Sequence, residues 1–458
     1  MRSPFSLKVL SVAIAALSIT SIASAAGLDR SGQDITAFLQ DGVYAEAVYT
    51  YIDADVTGKD TSNNKIDDIA ESYDFFRYGV KADINDTFSI GVLYDEPFGA
   101  AADYVGDNNF VTNSNADALV QGFTGNTNLT QDLVNSNITD LQNAIGSGNL
   151  QGAALAQAQG QLIGLQAAQA LANTAGQETQ VEVRTENVTG ILGVKLGQNK
   201  AFQVYGGPVI QQVQADVALR GTAYGAASGY TAHISSDQEY GWLAGVAYSK
   251  PEIALKAALT YRSEIEHTAD AFETFPVAAA ASSGVLPINS SGTIDITTPE
   301  SVNFDFQTGI NPTTLATAKV RWVPWSDFAI VPSLYNNVSK ISTQDDKGLP
   351  LVSYDDDQWQ VELGLAKRVA SALAISGSIG WDSGAGDPVT SLGPIEGYYS
   401  AGLGAKYNVT ENWAISAGGK YLWFGDAKGQ IPSKVTVSDF ESNDGYVFGV
   451  KVSYQAAQ

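Results

Sequence analysis

The stretch "YYSAGLGAKYNVTENWAISAGGKYLWFG", residues 398–425, reads as two strands joined by a short polar turn. Tyr399, Ala401, Leu403, Ala405 and Tyr407 share one parity, and Ser400, Gly402, Gly404 and Lys406 the other. After the turn, Trp413, Ile415, Ala417, Tyr421 and Trp423 oppose Ser416, Gly418 and Lys420. Strand side chains repeat every two residues, so Trp413 and Trp423 point the same way. At roughly 3.3 Å per residue their separation rises ~33 Å. A tilt of about 40° makes that about 25 Å of height, the lipid-facing band between the aromatic girdles of a transmembrane barrel. A soluble antiparallel sheet with one wet face alternates in the same way, so this hairpin alone does not separate the two.

The pattern recurs along the chain. In 76–84, Phe76, Tyr78, Val80 and Ala82 oppose Arg77, Gly79 and Lys81; after a tight turn, Phe88, Ile90, Val92 and Tyr94 oppose Ser89 and Gly91. Similar segments lie at 43–54, 181–196, 201–216, 239–249, 253–266, 300–309, 314–323, 328–338, 358–367, 372–381 and 445–454. The total is odd, whereas single-chain bacterial barrels have even strand numbers with both termini on the periplasmic side. Two short connectors follow each other around 314–338, so these pieces are read as one strand kinked at Pro324, where a ladder donor is missing. About fourteen strands then alternate between short turns and long loops. The expected fold is an all-β, antiparallel, up-and-down transmembrane barrel.

The compartment follows from the N-terminus. Arg2 and Lys8 precede the apolar run "VLSVAIAALSI", and "ASA" at 23–25 is a small-x-small cleavage site, so 1–25 reads as a secretory signal peptide. The chain has no cysteine, which removes disulfides and thiolate chemistry. No later segment holds 18 or more uninterrupted apolar residues, as a spanning helix would need. A net charge of −24 argues against nucleic acid, which selects basic patches, and fits acidic surface loops. The last strand ends at Tyr454, the aromatic expected for the barrel-assembly machinery, although "QAAQ" follows it. A monomer seated in outer-membrane lipid and lipopolysaccharide is expected.

Two segments are not wall: "AGLDRSGQDITAFLQDG" (26–42) and the connector 96–180. The second is far longer than a hairpin needs. Its 128–173 portion is rich in Ala, Gln, Leu and Asn, either a helical cap over the barrel mouth or a low-complexity insertion. The remainder, 43–458, is barrel. "AGLDRSGQ" at 26–33, "YDEPFGA" (94–100), "TPESVNFDFQTGI" (298–310), "VRWVPWSDF" (320–328), "WDSGAGDPVTSLGPIEGYYSAGLGAKY" (381–407) and "GGKYLWFGDAKG" (418–429) resemble the FadL-type family of outer-membrane transporters for hydrophobic compounds. The resemblance implies fourteen strands around an N-terminal plug. It also implies capture of long-chain fatty acids or other apolar compounds by extracellular loops, a pocket in the lumen, and lateral release through a wall gap beside a kinked third strand. On this chain that strand is 87–98, and Pro97 and Gly99 are residue types that break a ladder. The segment 26–42 is shorter than the plug of the best-known members, with Ile35, Phe38 and Leu39 as its apolar contacts.

A carboxylate in an apolar lumen would select a cation, best an arginine fork. By parity Arg77, Arg262, Arg321 and Lys420 face inward; Arg321, beside Pro324, is the first candidate and Arg262 the second. The ordinary alternative is that these cations pair with inward acids such as Glu264 or Glu362. The acidic runs "DDIAE" (67–71) and "YDDDQ" (354–358) lack the spacing and glycine of a calcium loop and read as solvated loop faces. No metal or cofactor is expected. An enzyme is not expected either: there is no GxSxG elbow, and the two histidines, His233 and His267, fall in predicted loops. Uptake of aromatic hydrocarbons is the alternative within transport, and a structural or adhesive barrel the alternative outside it.

Overall fold

The computed structural model describes residues 28–456; the signal-peptide expectation falls outside them. Fourteen antiparallel wall strands close into a barrel. They are β1 (Tyr44–Asp55), β2 (Tyr73–Asp83), β3 (Phe88–Asp95 and Gly99–Asp103), β4 (Gln180–Leu196), β5 (Phe202–Ala218), β6 (Thr231–Lys250) and β7 (Leu255–Arg262 and Ile265–Thr274). The second half comprises β8 (Asn289–Thr298 and Ser301–Asn311), β9 (Thr314–Val323), β10 (Gln358–Arg368), β11 (Leu373–Asp382), β12 (Glu396–Asn408), β13 (Trp413–Gly425) and β14 (Asp444–Gln455). β1 pairs with β14 from Tyr44↔Gln455 to Asp55↔Asp444, leaving no free sheet edge at closure. β1 begins and β14 ends on the side of the short turns, the periplasmic end of such barrels.

Parity in the membrane zone is as the hairpin 398–425 predicts. Trp413 and Trp423 are each 49% exposed and Leu403 76%, whereas Ser416 and Lys420 are 1% and 4% exposed. Above this zone the polarity reverses. In the outer halves of β6, β7 and β8, Ala232, Ile234, Ala269, Ile294 and Ile296 face inward and are buried, while Glu266, Asp270 and Asp295 are exposed. There the outer face meets water instead of lipid, so apolar groups gain by turning inward. This reversal explains why 239–249, 253–266 and 300–309 understate these strands, and why His233 and His267 lie on strands, not in loops.

The phase of β7 also slips at Ser263–Glu264. Ser263 takes the backbone of Trp242 (N to O 2.9 Å) and accepts from Trp242 N through its hydroxyl at 3.0 Å. Arg262 and Ile265 consequently both face in, and Glu264, expected inside, is exposed. Residues 328–338 do not extend β9. The wall strand stops at Val323, Ala329–Ile330 pairs with Val352–Ser353, and a helix follows over Ser333–Thr343. The count stays at fourteen because this segment folds into the barrel mouth.

The connector after β3 carries α1 (Ala116–Thr124), α2 (Gln131–Gly146) and α3 (Gly152–Ala172). Asn115 caps α1 by accepting from Asp117 N and Ala118 N, and Gly125 ends it in the left-handed region (φ 68°). None of the described helices is long and apolar enough to cross a bilayer. The later helix, α4 (Ser333–Thr343), buries Leu334, Tyr335 and Val338 in the mouth. The buried Glu273 carboxylate accepts from Leu334 N (2.8 Å) and Tyr335 N (2.9 Å) at its N-terminus. A small five-stranded sheet, from Gly58–Asp60 to Thr436–Phe440, roofs the barrel. In it Asp60 accepts from Ser62 N, Asn64 N, Asn64 Nδ2 and Asn109 N at 2.8–2.9 Å. Burial alone would raise the Asp60 carboxyl, but these donors hold it below the usual carboxylate range. The acidic runs are engaged locally: Asp68 accepts from Val56 N (2.8 Å) and Asp355 pairs with Lys434 (2.7 Å).

Candidate functional site

The segment Leu28–Asp41 runs inside the barrel, and the wall is shaped to receive it. A Cβ built at Gly91 or Gly193 would sit 2.7 or 2.9 Å from the Phe38 ring, and one at Gly79 would sit 2.7 Å from Ala37 Cβ. Glycines at these inward positions therefore form the niche that Phe38 fills, with Tyr205 across it at 5.7 Å between ring centroids. Ile35, Phe38 and Leu39 are all buried, in one cluster with Leu93, Ile191 and Leu243.

Polar contacts hold the same segment. Arg321 clasps Asp29 with two parallel bonds (Nε to Oδ2 2.7 Å, Nη2 to Oδ1 2.9 Å) and donates through Nη1 to Asn303 (2.9 Å) and Gln33 (3.2 Å). Asp34 accepts from Lys319 at 2.8 Å and lies 3.6 Å from Arg77. Arg77 also approaches Glu46 (3.5 Å), which lies 3.4 Å from Lys451. Lys420 pairs with Glu362 at 2.5 Å. Of the sequence candidates, Arg321, Arg77 and Lys420 are thus committed to acids of this chain.

Arg262 differs. It is buried, its Nη1 reaches only the neutral hydroxyl of Thr189 (3.2 Å), and its Nε has no hydrogen-bond partner. It borders a small polar cavity of about 10 Å³ with Asn187, Gln211, Thr298 and Phe98. Asn187 Nδ2, in the same pocket, is also a buried donor without a partner. A second cavity, also of about 10 Å³, shares Phe98, Thr298 and Pro299 with the first and continues between Trp325, Phe328 and Ile296. Trp325 is fully buried, 5.5 Å from Phe98 and 5.2 Å from Phe328, and its indole N–H donates to Gln358 (2.8 Å). Across the pair, two donors without partners stand at one end and aromatic and aliphatic walls at the other. Asn187 and Gln211 were legible as inward-parity polar residues on long strands; the aromatic walls come mostly from loops and were not.

His267 is buried beside this region, with Nδ1 3.1 Å from Asp237 and Nε2 3.0 Å from Gln211. His233 is exposed and meets Asp216 at 2.6 Å.

Pro97 and Gly99 lie where β3 is interrupted. β2 and β3 pair from Asp83↔Ser89 to Tyr78↔Tyr94 and no further. Phe98 turns instead to Thr185, whose hydroxyl accepts from Phe98 N at 2.8 Å. Gly99–Asp103 rejoins the wall against β4, so the strand is interrupted around Pro97 and resumes at Gly99. Leu28–Ser31 lines the break from inside: Arg30 N donates to Pro97 O and Gly99 N to Leu28 O, both at 2.7 Å. A pocket of about 80 Å³ lies beside the break, lined by Tyr73, Gly99, Ala101, Ile52, the acids Asp29 and Glu71, and the mouth residues Leu392 and Pro394.

A family model described as outer membrane protein transport protein (OMPP1/FadL/TodX) matches residues 23–455. Among solved structures, a FadL homologue from Pseudomonas aeruginosa is similar over 95% of this chain and 96% of its own, with a TM-score of 0.62 and 12% identity. The toluene transporter TodX of Pseudomonas putida aligns over 92% of both chains (TM-score 0.54, 11% identity). The toluene transporter TbuX of Ralstonia pickettii aligns over 92% of both (TM-score 0.51, 10% identity). At these identities the likeness shows the fold. None of the proteins with curated functions matches the sequence.

Proposed function

Since this chain belongs to the OMPP1/FadL/TodX family of outer membrane transport proteins, whose members carry hydrophobic compounds, we propose that its cargo is an amphiphile with a carboxylate head, a long-chain fatty acid in the first instance. The observation that carries this reading is the pair of unpartnered buried donors, Arg262 Nε and Asn187 Nδ2, facing a pocket continuous in its walls with an apolar chamber. A buried cation without an acid is costly, and a carboxylate accepting from the guanidinium removes that cost. The tail contributes about 0.8 kcal/mol per CH₂ withdrawn from water. Passage is passive: capture among the mouth loops, residence in the chamber, and exit through the break between β2 and β3 into the outer leaflet. The aromatic walls formed by Phe98, Trp325 and Phe328 favour a second reading, small aromatic hydrocarbons, for which Arg262 would have no role.

Uptake of radiolabelled oleate by Gram-negative cells lacking their own fatty-acid transporter tests the proposal. Protein-dependent uptake should fall at least tenfold with Arg262→Ala. Absence of uptake, with folded protein in the outer membrane, would reject the fatty-acid reading, and labelled toluene would then be measured in the same cells.

A further inference from the structure

His267 is a buried titratable group to which the cargo site gives no task, yet it is wired to that site. It lies on the inward face of β7, in the region where water and not lipid meets the outer face. Its Nδ1 is 3.1 Å from the Asp237 carboxylate and its Nε2 3.0 Å from Gln211 Oε1. Gln211 Oε1 also accepts from the Thr298 hydroxyl at 2.5 Å, and Gln211 Nε2 donates to Asn187 Oδ1 at 2.9 Å. Asn187 ends the chain with Nδ2, the buried donor without a partner. Asn187, Gln211 and Thr298 all border the polar cavity beside Arg262. Of the charged groups, Asp237 and Glu239 face the ring from β6, while β5 and β8 contribute the neutral Gln211 and Thr298. Glu266 on β7 and Asp295 on β8 are exposed on the outer face, and Asp95, opposite Asn187 in the ladder, bears on Arg262.

This network has a definite proton count. Gln211 Oε1 only accepts, so Nε2 of the ring carries a proton; the Asp237 carboxylate only accepts, so Nδ1 carries one too. Two ring protons make His267 an imidazolium. When the ring loses a proton it is the one on Nε2, because Asp237 holds the other. Nε2 then offers a lone pair, and the Gln211 amide must turn over to donate to it. Its nitrogen donates to the Thr298 oxygen as well, and the Thr298 proton passes to Ile265 O, 3.4 Å away. Its oxygen now faces Asn187, which turns over in the same way and donates through Nδ2. Both turns exchange groups of nearly equal size, so the packing is unchanged. What changes is the atom that Asn187 leaves unpaired: the donor Nδ2 with His267 charged, the acceptor Oδ1 with His267 neutral.

We propose that His267 is a positioning residue for the cargo head, acting through Gln211 to set whether Asn187 donates or accepts beside Arg262, so that an anionic head binds with uptake of a proton at the ring. The inference rests on the carboxylate reading of the cargo. A neutral hydrocarbon is indifferent to the turn of Asn187, whereas an anion is held only by its donor end.

Calorimetric titration of decanesulfonate, whose head stays ionised throughout, into the full barrel in phosphatidylcholine vesicles tests it, with protein-free vesicles subtracted and decanol as the uncharged control. An ordinary imidazole titrates at about 6.5, so affinity is read at about pH 5 and about pH 8. The wild type should bind decanesulfonate at least tenfold more tightly at the lower pH, and decanol equally at both. His267→Gln should bind decanesulfonate equally at both; Gln211→Leu, which leaves the ring in place and cuts the relay, should do the same. Asp237→Asn removes the charge that favours the protonated ring, so the change in affinity should persist with its midpoint at lower pH. This variant carries the test should His267→Gln fail to fold. Equal decanesulfonate binding at both pH values in the wild type would overturn the proposal and leave the carboxylate reading standing, as would a pH dependence undiminished in His267→Gln or Gln211→Leu. Absence of decanesulfonate binding at either pH would reject the carboxylate reading and the relay with it.

Discussion

The lower and upper halves of the barrel interior obey opposite rules. Below Arg262, around the niche that holds Phe38, the inward wall carries Arg77, Lys319, Lys420 and Lys451 with Glu46 and Glu362, joined in ion pairs together with Asp34. Above it they are Phe98, Trp325, Phe328, Ile294 and Ile296, packed as an ordinary core. The same strands run through both. What changes is the solvent outside: lipid below, water above. A barrel wall presents to each solvent the face it prefers, and the interior receives the complement. Arg262, whose Nε has no hydrogen-bond partner, stands at the boundary between the two regimes.

The sharpest way to break this comparison is to remove an acid below and an apolar group above. Asp29→Ala would leave the Arg321 fork buried without a carboxylate and should destabilise by about 3–5 kcal/mol, whereas adding Arg321→Met should recover most of the loss. The temperature at which the folded barrel loses its compact electrophoretic mobility reads both. Ile296→Ala, in the chamber wall, should cost about 2–4 kcal/mol through the cavity it leaves, with no dependence on salt. Gly91→Ala should cost about 1–2 kcal/mol by pressing on the Phe38 ring, and Phe38→Leu in the same chain should relieve part of it. The smallest effect concerns the roof. Asp60 is held below the usual carboxylate range, so its contribution is present above its unfolded value, ordinarily near 4, and is lost only as pH falls through the lower folded value. Limited proteolysis of the 56–72 loop should therefore be unchanged from neutrality to about pH 5 and rise only in stronger acid; a rise near neutrality would contradict this.

Where lipid lies outside, the wall was legible in sequence. The parities around Trp413, Trp423 and Tyr446 give strand, face and approximate length, because apolar-out alternation is a local property. The outer halves of β6, β7 and β8 were missed because their alternation is reversed, as in "TAHISSDQ" at 231–238. The spacing of Phe328, Ile330 and Leu334 imitated a strand, yet Leu334, Tyr335 and Val338 have helical spacing, and Pro332 stands at the start of α4, where it is tolerated. At the site, inward parity found Arg262 and Arg321 but not which of them is free. Arg321's partner lies 292 residues away, in the segment that enters the lumen, and only the fold brings Asp29 to it.

The contact between Leu28–Ser31 and Pro97–Gly99 has a consequence for how the N-terminal segment can move. A broken strand leaves peptide groups without their ladder partners, and each such buried group costs free energy. Here Pro97 O and Gly99 N are satisfied by Arg30 N and Leu28 O. The segment is therefore a splint on the fracture as well as a stopper in the bore. Withdrawing it wholesale would strip both main-chain groups of these partners, so displacement of the segment carries a cost at the break as well as in the bore.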